Sequence, residues 1–429
     1  MRYKKFDQAF FINNRKRFCN NISSNSLVIF HSNDEMPRNG DQSFPFRQNS
    51  DLFYLCGIDQ EDSILVLFPD CKIEAYREIL FLTETNEHIR NWYGYKYSKE
   101  QATDVSGVKT VMWLSSFDNV LKELMGNALN VYLNSNENIR YSNKVVYKDL
   151  RFAKSLKEEY PLHTYLRSAP IMQELRVVKS AEEVKYIQIA CDITGEALKR
   201  VLKFIKPGVL EYEIEAELNH EFIRNGCSGY SFYPIVASGA DSCILHYVNN
   251  DKMCKDGDLV LLDFGAEYGN YASDMSRTVP INGKFSKRQR DVYMAVLRVM
   301  REAEKLLKVG NTIDAYHSEV CNIMNEELIK LGLYTSADVK SQDPTNPLFK
   351  KYFMHGTSHF MGMDVHDLGC KQDKILAGMV FSCEPGIYIK EEGIGIRLEN
   401  TVLITESGSK DLYNNLLLEP DEIEEFMKK

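Results

Sequence analysis

The residues of this chain best suited to chemistry lie in its second half. In DLVLLDFGAEYGNYASDMSRTV, Asp263 and Asp274 flank Gly265 and the pair Gly269-Asn270. A strand ending at Asp263, a turn at Gly269-Asn270 and a returning strand would make neighbours of the two carboxylates. Asp263 ends the apolar run VLLD, where a lone charge is costly to bury and demands a cation or dense hydrogen bonding. Taken alone, the pair reads equally well as solvated aspartates beside turns. Further on, HGTSHFMGMDVHD holds His355, His359 and His366, three of the nine histidines in the chain. Such crowding beside glycines favours a site over isolated core histidines. Glu384 closes the apolar run FSC just before Pro385-Gly386, and Glu399 sits in the strand-like alternation GIGIRLENTVLI beside Arg397. A glutamate in such a stretch needs a partner: Arg397 is one candidate, a cation another.

Together, Asp263, Asp274, His359, Glu384 and Glu399 offer four carboxylates and one imidazole. These are mostly hard oxygen donors, suited to divalent ions such as Mn²⁺ rather than to a thiolate zinc site. Four carboxylates balance two divalent ions and leave a coordination position for water or hydroxide. Two ions about 3.5–4 Å apart that share carboxylates lower the pKa of a bridging water and polarise a carbonyl, which is hydrolytic chemistry on an amide or ester.

The elements that must position these residues show a repeated grammar. Ser180-Ala-Glu-Glu183 is a capping box, followed by apolar residues at helical spacing from Val184 to Ile205 and a break at Lys206-Pro-Gly208. A second helix is expected over about 210–225, then strands including 258–265. The order returns at Ser286, with Val292, Val296, Val299, Ala303 and Leu307 on one helical face, a break at Lys308-Val-Gly310, a helix over about 312–331, and a strand-like run over 379–389. This predicts an internally duplicated α+β unit whose two sheets pair with helices outside. Residues 1–150 instead alternate short apolar runs (26–30, 63–68, 78–83, 109–114, 129–134) with polar or helical stretches, the pattern of a mixed α/β domain. The boundary is placed near residue 170.

The length implies two or three domains. The formal charge of −9 gives no whole-chain basic field for nucleic acid or anionic membrane. No apolar run reaches bilayer-spanning length, and none at the N-terminus reads as a signal peptide. Ten scattered cysteines without a C-x-x-C pair, several within apolar runs (Cys191, Cys243, Cys383), read as buried free thiols in a reducing, cytoplasmic setting.

The chain resembles the aminopeptidase P (Xaa-Pro aminopeptidase) family of pita-bread-fold metallopeptidases, which includes prolidase and methionine aminopeptidase. The resemblance rests on FPFRQNSDLFYLCGI (44–58), ELRVVKSAEEV (174–184), ASGADSCILHY (237–247), LLDFGAEYGNYASDMSRT (261–278), HGTSHFMGMDVHD (355–367), EPGIYI (384–389) and IRLEN (396–400). It implies an N-terminal aminopeptidase P/creatinase-like domain over 1–170 and a pita-bread catalytic domain over 171–429. It also implies removal of the first residue from peptides with proline second, by a hydroxide activated by two metal ions. Asp263 would bind one metal, Asp274 and Glu399 would bridge both, and His359 and Glu384 would bind the second. Glu384 would also shuttle the proton. His246 and His366 would hold substrate and stabilise the gem-diolate, His355 would line the proline pocket, and Tyr388 and Arg397 would orient carboxylates. The family metal is usually manganese, although the same ligands bind cobalt, iron or zinc. A homo-oligomer, dimer or tetramer, is expected. The rival readings are prolidase, acting on dipeptides with the same metal set, and a catalytically dead binding adaptor, which the complete ligand set disfavours.

Overall fold

A continuous apolar run buried on both sides marks the centre of the N-terminal sheet. In the computed structural model, which describes residues 2–141, 144–413 and 416–428, every residue of strand Ser26–His31 is buried, as expected where both sheet faces are covered. It pairs in parallel with Asn130–Leu133 and antiparallel with Ile64–Leu67. Outside these lie Glu78–Leu82 and Thr110–Trp113 on one side and Thr164–Arg167 on the other, giving a six-stranded mixed sheet. Helix Phe117–Met125 presents Phe117, Val120, Leu121 and Leu124 to the core residues Leu27, Ile29, Phe81 and Val131, the spacing of one helical face. The five expected strands form. The sixth, Thr164–Arg167, falls where the apolar pattern fades, because it is an edge strand with no fully buried residue.

The chain divides into two compact units, Lys4–Arg176 and Val177–Lys429 with the first three residues. The division lies inside helix Ala169–Val177. The second unit is built as the repeated grammar predicts. Ser180 Oγ accepts the Glu183 N–H at 3.3 Å, and the Glu183 carboxylate accepts the Ser180 N–H at 2.9 Å, opening helix Ala181–Phe204. Ser286 and Gln289 repeat the box for Lys287–Leu306. The breaks turn through Gly208 (φ +93°) and Gly310 (φ +88°), left-handed positions that suit glycine. Helices Glu211–Arg224 and Ile313–Lys330 follow, and each helix pair precedes its own set of strands.

In the first half-unit, Leu259–Phe264 pairs antiparallel with Ile235–Ser238 and Met275–Pro280. The chain between turns back through Gly269 (φ +59°) and Asn270 (φ +65°), with Tyr268 opposite Tyr271. Two central residues with positive φ make the type I′ geometry that such a dipeptide favours. In the second half-unit, two expectations need correction. The run 379–389 is not one strand. It breaks at Glu384-Pro385 into Val380–Cys383, which pairs with Asn400–Thr405, and Gly386–Ile389, which pairs with Ile394–Arg397. Glu399 is likewise not within a strand but in the gap between Ile394–Arg397 and Asn400–Thr405. Pro385 offers no N–H to a ladder, so the chain changes sheets there, and Glu399 makes the return crossing: the Leu398 N–H donates to the Pro385 carbonyl at 3.2 Å.

Gly265 lies two residues after Asp263, against its neighbours. A Cβ there would sit 1.8 Å from the Ser273 carbonyl oxygen and 2.5 Å from Ser231 Oγ. Gly265→Ala should therefore cost about 1–3 kcal/mol of unfolding free energy, as overpacking does. A denaturant titration reads this; an unchanged midpoint would contradict the close approach.

Candidate metal centre

Antiparallel register brings the first two carboxylates together. Asp263 stands opposite Ser276, so Asp274, two residues earlier on the partner chain, lies diagonally beside it. Asp274 and Ser276 share a face because strand side chains alternate. The second half-unit supplies the rest. The HGTSH segment is tied to strand Val380–Cys383 by the Ser382 N–H, which donates to the His359 carbonyl at 3.0 Å, and by the His359 N–H, which donates to Ser382 Oγ at 3.0 Å. The Glu384 N–H donates to the Thr357 carbonyl at 2.9 Å, and the Glu399 N–H crosses to the Ser276 carbonyl at 3.0 Å.

The result is a buried cluster. Ligand-type atoms of Asp274, His359 and Glu399 lie within 4.8 Å of one another. His359 Nε2 is 3.4 Å from Asp274 Oδ2 and 3.7 Å from Glu384 Oε1. His359 Nδ1 is 3.1 Å from the Phe360 carbonyl oxygen. A carbonyl only accepts, so Nδ1 carries the proton and Nε2 turns a lone pair toward the carboxylates, the tautomer a metal ligand needs. Asp263 Oδ1, Asp274 Oδ1 and Glu399 Oε1 are buried without a hydrogen-bond partner. Three orphaned carboxylate oxygens and a facing imidazole lone pair are acceptors with nothing to accept from. The donor set therefore fits divalent cations with a preference for oxygen ligands.

Electrostatics point the same way. Burial, then the charge of Asp263, pushes Asp274 well above the usual carboxylate range. Burial, then Asp274 and Glu384, does the same to Glu399. Burial raises Glu384 to about 7, with Asp274 and Asp263 adding to the shift and His359 and Arg397 opposing it.

The remaining expected residues lie around this cluster. Arg397 donates to Asp263 Oδ2 at 2.6 Å, to Ser276 Oγ at 2.8 Å and to Tyr388 Oη at 2.9 Å. The arginine weighed as a partner for Glu399 bonds Asp263 instead, taking one oxygen of that carboxylate and leaving the other bare, while Glu399 is met by Ser276. Tyr388 Oη is 2.9 Å from His355 Nε2. Since the guanidinium only donates, the hydroxyl donates onward to His355, whose Nδ1 faces the Gly356 carbonyl at 2.8 Å. Burial, then Arg397, lowers His355 to about 3, which keeps it neutral. The His366 ring packs edge-on against His359 with centroids 4.5 Å apart. His246 is exposed in the turn after Gly239–Cys243 and close enough to help depress His355.

Sequence reasoning missed the hydroxyls that steer the carboxylates. Ser276 Oγ donates to Glu399 Oε2 at 2.8 Å, Ser382 Oγ donates to Glu384 Oε1 at 3.2 Å, and Thr401 Oγ1 donates to the Asp274 carbonyl at 3.0 Å. Each stands two residues from Asp274, Glu384 or Glu399, on the same face of its segment. That period-two spacing is the signal that could have found them. Arg277 was also missed: wholly buried, it donates to the Glu399 carbonyl at 2.7 Å and the Ser276 carbonyl at 2.9 Å.

Comparison with known proteins agrees with this geometry. The pattern describing metallopeptidase family M24 matches residues 185–406, and that of the aminopeptidase P N-terminal domain matches residues 11–132. The Xaa-Pro aminopeptidase of Escherichia coli (strain K12) is 34% identical over 427 residues, covering 96% of each chain. Among solved structures, zinc-substituted E. coli aminopeptidase P in complex with product matches with a TM-score of 0.89 at 31% identity over 99% of both chains. The same enzyme with the inhibitor Pro-Leu matches with a TM-score of 0.89 at 32% identity over 99% of both chains.

The raised carboxylates make a pH prediction. Groups whose folded pKa exceeds the unfolded value hold extra protons in the native state, so stability is fully present below the unfolded values and lost as pH rises through the folded ones. Protein stripped of metal should therefore unfold at a lower temperature at about pH 8 than at about pH 5, and Glu399→Gln should flatten that slope. Divalent ions should restore more stability at the higher pH, because they replace protons on the same oxygens. A thermal melt series checks this, and a stripped protein indifferent to pH over that range would refute it. With the M24 pattern running over residues 185–406 and a relative 34% identical over 96% of each chain, the chain belongs to metallopeptidase family M24.

Proposed function

We propose that this protein is an Xaa-Pro aminopeptidase that uses two divalent metal ions, manganese foremost, held by Asp263, Asp274, His359, Glu384 and Glu399. The observation that carries the reading is the set of three buried carboxylate oxygens without partners, facing the Nε2 lone pair of His359. Ions held there would supply a water activated for attack at neutral pH and a polarised scissile carbonyl.

The chain's own groups account for the rest. Glu384, beside His359 and with its Oε2 toward His355, is suited to accept a proton and return it to the leaving nitrogen. Its Oε1 is engaged by Ser382 and its Oε2 faces His355 at 3.8 Å. The leaving nitrogen therefore belongs on the His355 side of the cluster, where a neutral imidazole held by Tyr388 can line a pocket for the proline ring. His246 and His366 are assigned to hold the substrate carbonyl and the charge that develops on it, a reading supported for His366 by its ring packing against His359. A bond to proline is a tertiary amide without an N–H, so ring recognition by shape replaces the backbone hydrogen bond other peptidases use.

The setting is read as cytoplasmic and the protein as a homo-oligomer, dimer or tetramer. The cysteines are all free thiols and mostly buried, which suits a reducing compartment. Trp92, Tyr93 and Tyr95 are strongly exposed in the N-terminal unit, a surface suited to a second copy. No helix of the described residues is long and apolar enough to cross a membrane.

Release of arginine from Arg-Pro-Pro, from Arg-Pro and from Arg-Ala-Pro, measured after metal stripping and again after adding Mn²⁺, tests the activity. Metal-dependent cleavage of Arg-Pro-Pro with little from Arg-Ala-Pro is expected. Cleavage confined to Arg-Pro would make the protein a prolidase. Glu384→Gln should lower kcat on the order of 10²–10⁴-fold, the usual worth of a general acid–base group.

A further inference from the structure

Helix Ile313–Lys330 carries a histidine that the functional reading leaves without a role. His317 Nδ1 lies 2.8 Å from Thr357 Oγ1, and the Cys321 thiol, one helical turn on, lies 3.5 Å from His317 Nε2. Burial raises that thiol to about 11, so it remains an S–H, a donor toward Nε2. With the thiol as donor, Nδ1 carries the proton and donates to Thr357; with the other tautomer the Thr357 hydroxyl donates to Nδ1, and the bond between them stands in either case. Thr357 is wholly buried, and a buried hydroxyl needs a partner; His317 supplies it. The carbonyl of Thr357 in turn accepts the Glu384 N–H at 2.9 Å, and Pro385, next in the chain, has no N–H to offer another anchor. The same imidazole also packs beside Phe353 with centroids 6.0 Å apart, and Phe353 stands edge-on to His355 at 5.1 Å. One side chain outside the cluster thus reaches two of its members by separate routes.

We propose that His317 is a positioning residue, which through Thr357 fixes the backbone anchor of Glu384 and through Phe353 backs the ring of His355. The inference rests on the aminopeptidase reading for its kinetic consequence, because it concerns where the proton-carrying glutamate is held. A small rotation of Glu384 would separate its Oε2 from the leaving nitrogen without removing any group that binds substrate. The expected signature is therefore a loss in kcat with KM preserved.

The test uses the full-length, manganese-loaded protein and Arg-Pro-Pro. His317→Ala and Thr357→Val should each lower kcat by roughly 10-fold or more, the scale seen when an orienting hydrogen bond is lost. In Thr357→Val, KM and the Mn²⁺-induced rise in melting temperature should stay as in the wild type, whereas His317→Ala should also raise KM modestly because the Phe353 backing of His355 is lost. His317→Asn, which can place an amide donor near the position of Nδ1, and Thr357→Ser, which keeps the hydroxyl, should restore most of the rate. The double variant His317→Ala/Thr357→Val should be no worse than His317→Ala alone. In the metal-free protein, the NMR resonance of His317 Nδ1 should move in Thr357→Val, a readout independent of turnover. Should His317→Ala fail to fold, the Thr357 pair and the NMR signal decide the matter. A kcat within about 2-fold of wild type in Thr357→Val, losses that multiply in the double variant, or an unmoved Nδ1 resonance would each overturn the inference. Inactivity of the wild type on Arg-Pro-Pro would sink the aminopeptidase reading instead. An active wild type with unaffected variants sinks this inference alone.

Discussion

Four carboxylates crowded into a buried space repel one another, and the catalytic unit is arranged around that repulsion. Two unit charges about 4 Å apart at an effective dielectric near 20 interact by about 4 kcal/mol, a large fraction of what holds a domain together. Asp274 and Glu399 are nonetheless buried, and Glu384 stands beside them. Protons can relieve the strain at low pH, and cations can relieve it at neutral pH. Among the described residues, the cation in hydrogen-bond contact with these carboxylates is Arg397, and it sits on only one of the oxygens, Asp263 Oδ2. A second arginine in contact would halve the charge of the four carboxylates and weaken the demand for metal. The orphaned oxygens are thus a consequence of withholding internal countercharge.

Holding such a cluster open requires that no side chain swing away to solvent. The hydroxyls of Ser276 and Ser382 each take one oxygen of a carboxylate, which leaves the other oxygen to point inward. Thr401 fixes the backbone at Asp274. Arg277 does at the main chain what Arg397 does at the side chains. Its guanidinium bonds the carbonyls of Ser276 and Glu399, so the strand that follows Asp274 and the crossing that carries Glu399 are fastened by one residue. Burying that arginine without a carboxylate in hydrogen-bond contact would be costly, and the backbone and amide acceptors it reaches offset that cost. The polar chain from Arg397 through Tyr388 to His355 has one direction of donation throughout, which fixes the His355 tautomer without a charge on the ring.

The features legible in the sequence are those written in local chemistry. Capping boxes at Ser180 and Ser286, glycine breaks at Gly208 and Gly310 and the Gly269-Asn270 turn each follow from a few adjacent residues, and each stands where expected. The cluster was legible for a related reason: acidic groups beside apolar strands are costly unless they meet something. Less legible was whatever depends on a partner distant in sequence. The run 379–389 reads as one strand-like stretch despite Glu384-Pro385 at its centre, and the pairing of its halves with different strands shows that it changes sheets there. Strand Thr164–Arg167 is specified by its neighbour Asn130–Leu133 more than by its own residues. Arg277 looks like any arginine in SRTV until the Glu399 crossing is folded against it.

The duplicated architecture explains why these long-range contacts concentrate at the centre. The first half-unit brings Asp263 and Asp274, and the second brings His359, Glu384 and Glu399. Neither half alone carries enough charge or enough donors for two divalent ions, and neither can complete the Ser276–Glu399 or Thr401–Asp274 hydrogen bonds. Each half instead has its own helix pair and its own strands, with caps and turns of local origin. The Asp263–Asp274 pair is made by the register of the first half-unit alone, and the full cluster of four exists only where the strand Met275–Pro280 lies against the 394–405 segment. At that contact packing and the Arg277 and Arg397 contacts favour closure while carboxylate repulsion opposes it. A divalent ion that binds the assembled cluster shifts the balance toward the closed form by mass action. Metal affinity and the last step of folding in this unit are then two descriptions of one equilibrium.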